Sequence, residues 1–154
     1  MYLVYSDFLK ITNQLNLREK SYLHYNSFVN FFDHYETIKS IDNKKIVKRL
    51  LLDYVQFIND YKEKKLDRNA GIILVNPYLF KIGKIYKNEM GFIEILSPKF
   101  LFIATFTIDL LLILFGWEKF WKIPIPVFSV AGVLFYYFYL NSNIKKGKVF
   151  GIFW

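Results

Sequence analysis

The chain contains no cysteine, only two histidines and only three arginines, and alanine occurs just at Ala70, Ala104 and Ala131. Without cysteine there is no disulfide framework, no thiolate nucleophile and no iron–sulfur ligand. The two histidines, His24 and His34, stand ten residues apart. On one helix they would point about 80° away from each other, too far apart to share a metal. No Ser–His–Asp arrangement can be drawn, and KIGKIYK, with its one glycine, is no phosphate loop. Asp33, His34 and Glu36 are close in sequence, but adjacent helical residues diverge, so they read as a solvated face. No catalytic, cofactor or metal site is expected, and the chain reads as a non-enzyme.

The start, Met-Tyr-Leu-Val-Tyr-Ser-Asp, carries neither the basic and apolar regions of a signal peptide nor an Arg- and Ser-rich transit sequence. An unprocessed chain is the expectation. The 17 Phe and 12 Tyr, with abundant Ile, Lys and Asn, follow A/T-rich codons. That bias suggests a low-GC bacterium, an endosymbiont or an organellar genome.

What is present in quantity is apolar sequence near the C-terminal end. Eighteen residues between Lys99 and Glu118 contain Asp109 as their one charge, and the stretch between Lys122 and Lys145 contains none. Eighteen helical residues span roughly 27 Å, close to the hydrocarbon thickness of a bilayer. The two segments, 98–117 and 124–141, therefore read as an antiparallel transmembrane hairpin within 98–142. The net charge of +8 is placed accordingly. Lys81, Lys84, Lys87 and Lys99 precede the first span, and Lys145, Lys146 and Lys148 follow the second. The connecting turn holds only Lys119 and Lys122, offset by Glu118. By the positive-inside rule both termini face the cytoplasm or matrix, with anionic lipid headgroups rather than nucleic acid as partners of the lysines. Trp117, Trp121, Tyr139 and Trp154, with Lys99, Lys145 and Lys146, are the expected interfacial anchors.

Residues 1–70 read as a helical head on the cytoplasmic or matrix side. A short helix over 1–15, with Ser6 as a cap, precedes two long amphipathic helices. The first runs from Glu19 to Ile41 with Tyr22, Tyr25, Phe28, Val29, Phe32, Tyr35 and Ile38 on one stripe. The second is capped at Asp42-Asn43 and runs to Lys65 with Ile46, Val47, Leu50, Leu51, Tyr54, Val55, Ile58 and Tyr61. Their short join predicts an αα-hairpin. The run KEKK (Lys62–Lys65) reads as the solvated C-terminal end of that second helix. Leu66–Gly71 is the one plausible linker. In the connector, 71–97, Ile72–Val75 reads as a short strand, Asn76-Pro77 as the opening of a basic helix to Lys87 lying close to the membrane surface, and Phe92–Leu96 as a second strand. The basic and aromatic tail, 143–154, is either a third strand or, preferably, an anchor in the headgroup layer. The fold class is thus a mainly α membrane protein: a soluble helical head plus a two-helix transmembrane hairpin.

Asp109 is the sharpest single signal, because a carboxylate inside a span must be paired, protonated or hydrated. Thr105 and Gly116 share its thin polar stripe. On an antiparallel partner its depth falls near Gly132, with Ser129 and Tyr136 one turn to either side. Three roles compete: a hydrogen-bond clasp inside the hairpin, a contact for a partner's transmembrane helix, and a proton or cation site. The function that follows is an accessory or structural subunit of a larger, energy-transducing inner-membrane assembly, in mitochondria or bacteria, with other transmembrane proteins or a second copy as partners. The competing expectation is a bacterial immunity or anti-phage defence protein that blocks or forms a pore.

Overall fold

The computed structural model describes residues 1–64, 68–95, 98–114 and 127–151; side chains within 62–72, 98–102, 112–114 and 127–128 are outside the description. Seven α-helices and two short strands make up the described chain: α1 (Tyr2–Asn13), α2 (Leu17–Tyr22), α3 (Tyr25–His34), α4 (Ile41–Lys64), α5 (Arg68–Met90), β1 (Ile93–Glu94), α6 (Pro98–Leu114), α7 (Val127–Lys145) and β2 (Val149–Phe150). The chain is mainly helical. It divides into a head, Met1–Ile95 with Gly147–Ile152, and a second unit, Leu96–Lys146, inserted between those two pieces.

In the head, α1 begins at Met1 without a side-chain cap, and Ser6 lies inside it rather than capping it. Asn16 opens α2 through a reciprocal capping box. Its Oδ1 accepts the Glu19 N–H at 2.9 Å, and Glu19 Oε2 accepts the Asn16 N–H at 2.9 Å. The long helix expected over 19–41 is broken. His24 takes a left-handed conformation (φ 51°, ψ 39°), so α2 and α3 meet at a corner, and a 3₁₀ turn, Tyr35–Thr37, ends α3. Ser40, not Asp42-Asn43, caps α4: its Oγ accepts the Asn43 N–H at 3.3 Å.

The expected pairing of α3 with α4 is only part of the packing: their stripes meet where Phe28 stacks on Tyr54. α4 lies along α5 and α1, while α3 lies along α5 and β2. The difference comes from α5. Residues 72–75 are helical rather than a strand, and the helix runs through Pro77 instead of starting there. Proline costs an interior helix a hydrogen bond, but Val75, Leu79, Ile82 and Tyr86 are fully buried and hold the helix on both sides of it. Gly91 (φ +69°) then stops α5, and its N–H donates to Lys87 O at 3.1 Å.

The core is aromatic. The Phe28 and Tyr54 rings stack at 3.4 Å between centroids, and Phe8 packs against Phe32 and Tyr25. Two buried phenols tie this core to backbone. Tyr54 Oη donates to Leu23 O and Tyr86 Oη to Phe31 O, each at 2.5 Å. Burial holds the Tyr54 hydroxyl well above its usual range, so it stays a neutral donor.

The tail is not an anchor over its described part. Val149 and Phe150 are buried in the head and pair in parallel with Ile93 and Glu94. The Ile93 N–H donates to Lys148 O at 3.0 Å and the Ile95 N–H to Phe150 O at 2.8 Å. On the strand's other edge α3 supplies side chains. Asn30 Nδ2 donates to Val149 O at 2.8 Å, and Ser27 Oγ accepts the Gly151 N–H at 3.2 Å. The edge that would otherwise stand open is thereby satisfied. The Phe150 ring lies over Gly83 of α5, where a side chain would have no room.

Glu89, in the last turn of α5, closes the start of α4. Its Oε2 accepts the N–H groups of Lys39 (3.0 Å) and Ser40 (3.3 Å), and its Oε1 accepts from Asn43 Nδ2. The Asn43 amide, helped by the two backbone donors, holds this carboxyl below its ordinary value of 4.5. A depressed folded pKa stabilises fully above the unfolded value, and that contribution is lost as pH falls through the folded value. The urea midpoint of the full chain should therefore fall as pH drops below about 4.5. Glu89→Gln should be weaker at pH 7 with a flatter acid limb. Parallel pH profiles for the two proteins would show that Glu89 does not set that limb.

Candidate functional site

The second unit consists of α6 and α7 packed against each other. Asp109 lies opposite Ser129, and Thr105 opposite Gly132, so the two helices run antiparallel. Asp109 is 5 % exposed and Ser129 4 %. One oxygen, Oδ2, accepts both the Ser129 backbone N–H, at 2.7 Å, and the Ser129 hydroxyl. Ser129 lies in the first turn of α7, where backbone N–H groups have no acceptor within the helix. Asp109 thus acts as an N-cap supplied from the neighbouring helix, its carboxyl oxygen taking donors at the start of α7.

This corrects the expected register. Gly132 does not face Asp109 but Thr105. A Cβ built on Gly132 would lie 2.9 Å from Thr105 Cγ2, so the missing side chain is what lets the helices approach at that level. Tyr136 is half-buried, one turn further along α7. The displacement follows from the start of α7 at Val127, which places Ser129 among the orphan donors of a first turn.

Around this polar centre the outer surface is apolar. Ile103 is 63 % exposed, Phe135 74 % and Phe138 67 %, and Phe106, Leu110, Leu111, Val130 and Leu134 are each about half exposed. The polar groups on that surface turn inward on their own helix. Thr107 Oγ1 donates to Ile103 O and Asn143 Nδ2 to Tyr139 O, both at 2.8 Å. Tyr139 is half exposed and stacks on Phe135, and Lys145 and Lys146 are exposed at the end of α7. Gly116, Trp117, Trp121 and Trp154 lie outside the described residues. Lys99 lies on α6, but its side chain is outside the description.

Among the described residues, no helix is long and apolar enough to cross a membrane. α6 is described over 17 residues, roughly 25 Å of helix. The last turn of α7, Asn141–Lys145, is polar. The expected spans 98–117 and 124–141 are therefore unsupported as drawn, and residues 115–126, which were to complete them, lie outside the described residues.

The histidines belong to the head and have separate partners. His24 Nε2 lies 3.2 Å from Asn76 Oδ1, while Nδ1 is buried with no partner among the described residues. Burial holds this imidazole below its ordinary value despite the Asn76 contact. The neutral ring thus pins the α2–α3 corner to α5. His34 Nδ1 donates to Asn30 O at 3.0 Å, and its ring stands edge-on to Phe92. No group of three His, Asp or Glu side chains among the described residues could hold a metal ion. The chain matches no family model, no curated protein and no solved structure.

Proposed function

We propose that this chain is a non-enzymatic, two-pass membrane protein that serves as an accessory or structural subunit of a larger membrane assembly. Its hairpin, within residues 98–142, presents an apolar surface to lipid and to partner helices. Both termini lie on the cytoplasmic or matrix side.

The observation that carries this is the inverted polarity of the hairpin. A helical pair in water buries apolar side chains and exposes polar ones. Here the carboxylate and its serine are the buried pair, and rings and aliphatic chains face outward on both helices. Lipid is the solvent that favours this arrangement, because it penalises any unpaired donor or acceptor. An exposed apolar patch this extensive otherwise needs a protein partner. The lysines before and after the hairpin support the orientation.

Two fractionations test the proposal in the cell of origin. The chain should stay in the pellet after alkaline carbonate washing, and release into the supernatant would end the membrane assignment. After mild detergent extraction it should migrate on native gels in an assembly much larger than itself. Migration as a small free oligomer would end the subunit assignment.

A further inference from the structure

A second feature lies in the head, between α4 and α5, and the hairpin plays no part in it. A groove of about 540 Å³ separates the two helices, within the size range of small-ligand sites. Arg49 stands on its α4 wall, and Lys81 and Lys84 stand one turn apart on its α5 wall. All three side chains are exposed, and none is in an ion pair among the described residues. Asp53 is the one carboxylate in the lining, which leaves the groove with an excess of two positive charges. Its remaining lining is aliphatic: Ile46, which is 49 % exposed, and the half-buried Leu50 and Ile85.

We propose that this groove binds the headgroup of an anionic phospholipid. The phosphate would sit among Arg49, Lys81 and Lys84, and the first acyl methylenes would lie on Ile46, Leu50 and Ile85. Arginine's planar fork suits a phosphate's paired oxygens, and the two lysines add point charge. The two halves of the lining together select the ligand. Inorganic phosphate or a nucleic-acid backbone would engage the cations and leave the aliphatic floor wet. A neutral amphiphile would cover the floor and leave three cations unmatched. Only a ligand with an anion joined to a hydrocarbon stem complements both. The assignment rests on the proposed membrane residence for its choice of phospholipid over other anionic amphiphiles.

The test uses the full chain in a neutral maltoside detergent. Binding of dihexanoyl-phosphatidylglycerol below its micellar concentration is read by native mass spectrometry and compared with dihexanoyl-phosphatidylcholine and with inorganic phosphate. Phosphatidylglycerol should bind selectively. At about 1 kcal/mol per basic residue, the triple variant Arg49→Gln, Lys81→Gln, Lys84→Gln should weaken it about a hundredfold. Lys45→Gln with Lys48→Gln, exposed α4 lysines outside the lining, should leave it unchanged, which separates the groove from general surface charge. Arg49→Gln alone, a single exposed change, should already weaken binding about fivefold. Equal binding of the two lipids, full binding by the triple variant, or equal binding of inorganic phosphate would overturn the assignment. If carbonate releases the chain from membranes while selective binding persists, the membrane proposal fails and the groove stands.

Discussion

Gly83→Ala should destabilise the head by about 2–4 kcal/mol, although alanine is ordinarily the better helix residue by about 1 kcal/mol. The alanine Cβ would overlap Phe150 Cε2 and lie 2.6 Å from two further ring carbons. Non-bonded carbons do not approach that closely, so the ring has to leave. The helix cannot yield instead, because Leu79, Ile82 and Tyr86 fix it in the core. Expelling Phe150 also strips packing from Phe31 and strains the β1–β2 pairing. Phe150→Ala by itself should cost about 3–5 kcal/mol, as usual for a buried phenylalanine. The informative case is the double variant. Once the ring is gone, Gly83→Ala should change sign and stabilise by up to about 1 kcal/mol. Urea unfolding of the full chain in neutral detergent, followed by near-ultraviolet circular dichroism of the aromatic core, measures all four corners of the cycle. Additive effects would mean that Gly83 and Phe150 do not meet.

Asp109→Ala should loosen the hairpin by about 2–4 kcal/mol, whereas Asp109→Asn should cost about 1 kcal/mol. Alanine removes the acceptor of two Ser129 donors in a place closed to solvent. Asparagine retains a carbonyl oxygen able to accept both. The cysteine-free chain offers a clean readout. Thr105 Cβ and a Cβ built on Gly132 are 3.9 Å apart, inside the range a disulfide needs. In the Thr105→Cys, Gly132→Cys background the pair should cross-link quickly under mild oxidation. Adding Asp109→Ala should slow that reaction at least tenfold, and Asp109→Asn should leave it within about threefold. Cross-linking at the parent rate in the alanine variant would show that the helices hold together without the clasp.

How far the sequence anticipates this molecule can be judged element by element. The periodic stripes of the head were legible because burial alone decides them, and Phe28, Phe32, Val47, Leu51, Tyr54 and Ile58 are all in the core. The polar stripe of the hairpin was legible from one charge in a long apolar run. Three features were not. Pro77 reads locally as the start of a helix, and only packing on both sides of it carries α5 through. His24 gives no local sign of a left-handed corner; its conformation belongs with a contact to Asn76, 52 residues on. The pairing of Ile93-Glu94 with Val149-Phe150 is the strand reading of the tail, beside 92–96, but it spans the whole hairpin, and such short strands carry too little pattern to prefer it over an anchor. Equal depth in a span aligns Asp109 with Gly132, one turn away from its partner Ser129. The first-turn donors of α7 choose the partner of Asp109 instead.

The placement of β2 makes synthesis order matter. The ribosome delivers β1, then the entire hairpin, and only afterwards the residues that fill the slot over Gly83. Until then Phe31 lacks the ring that completes its packing, and Ser27 and Asn30 lack the strand they satisfy. Closing a loop costs more entropy as the loop lengthens. An antiparallel hairpin, once formed, returns its two ends to one another and shortens the effective loop. A nascent chain whose hairpin has folded can finish its head. One whose hairpin has not folded keeps an open, aromatic seam exposed to proteases and chaperones. Completion of the head thereby waits on the folding of the hairpin.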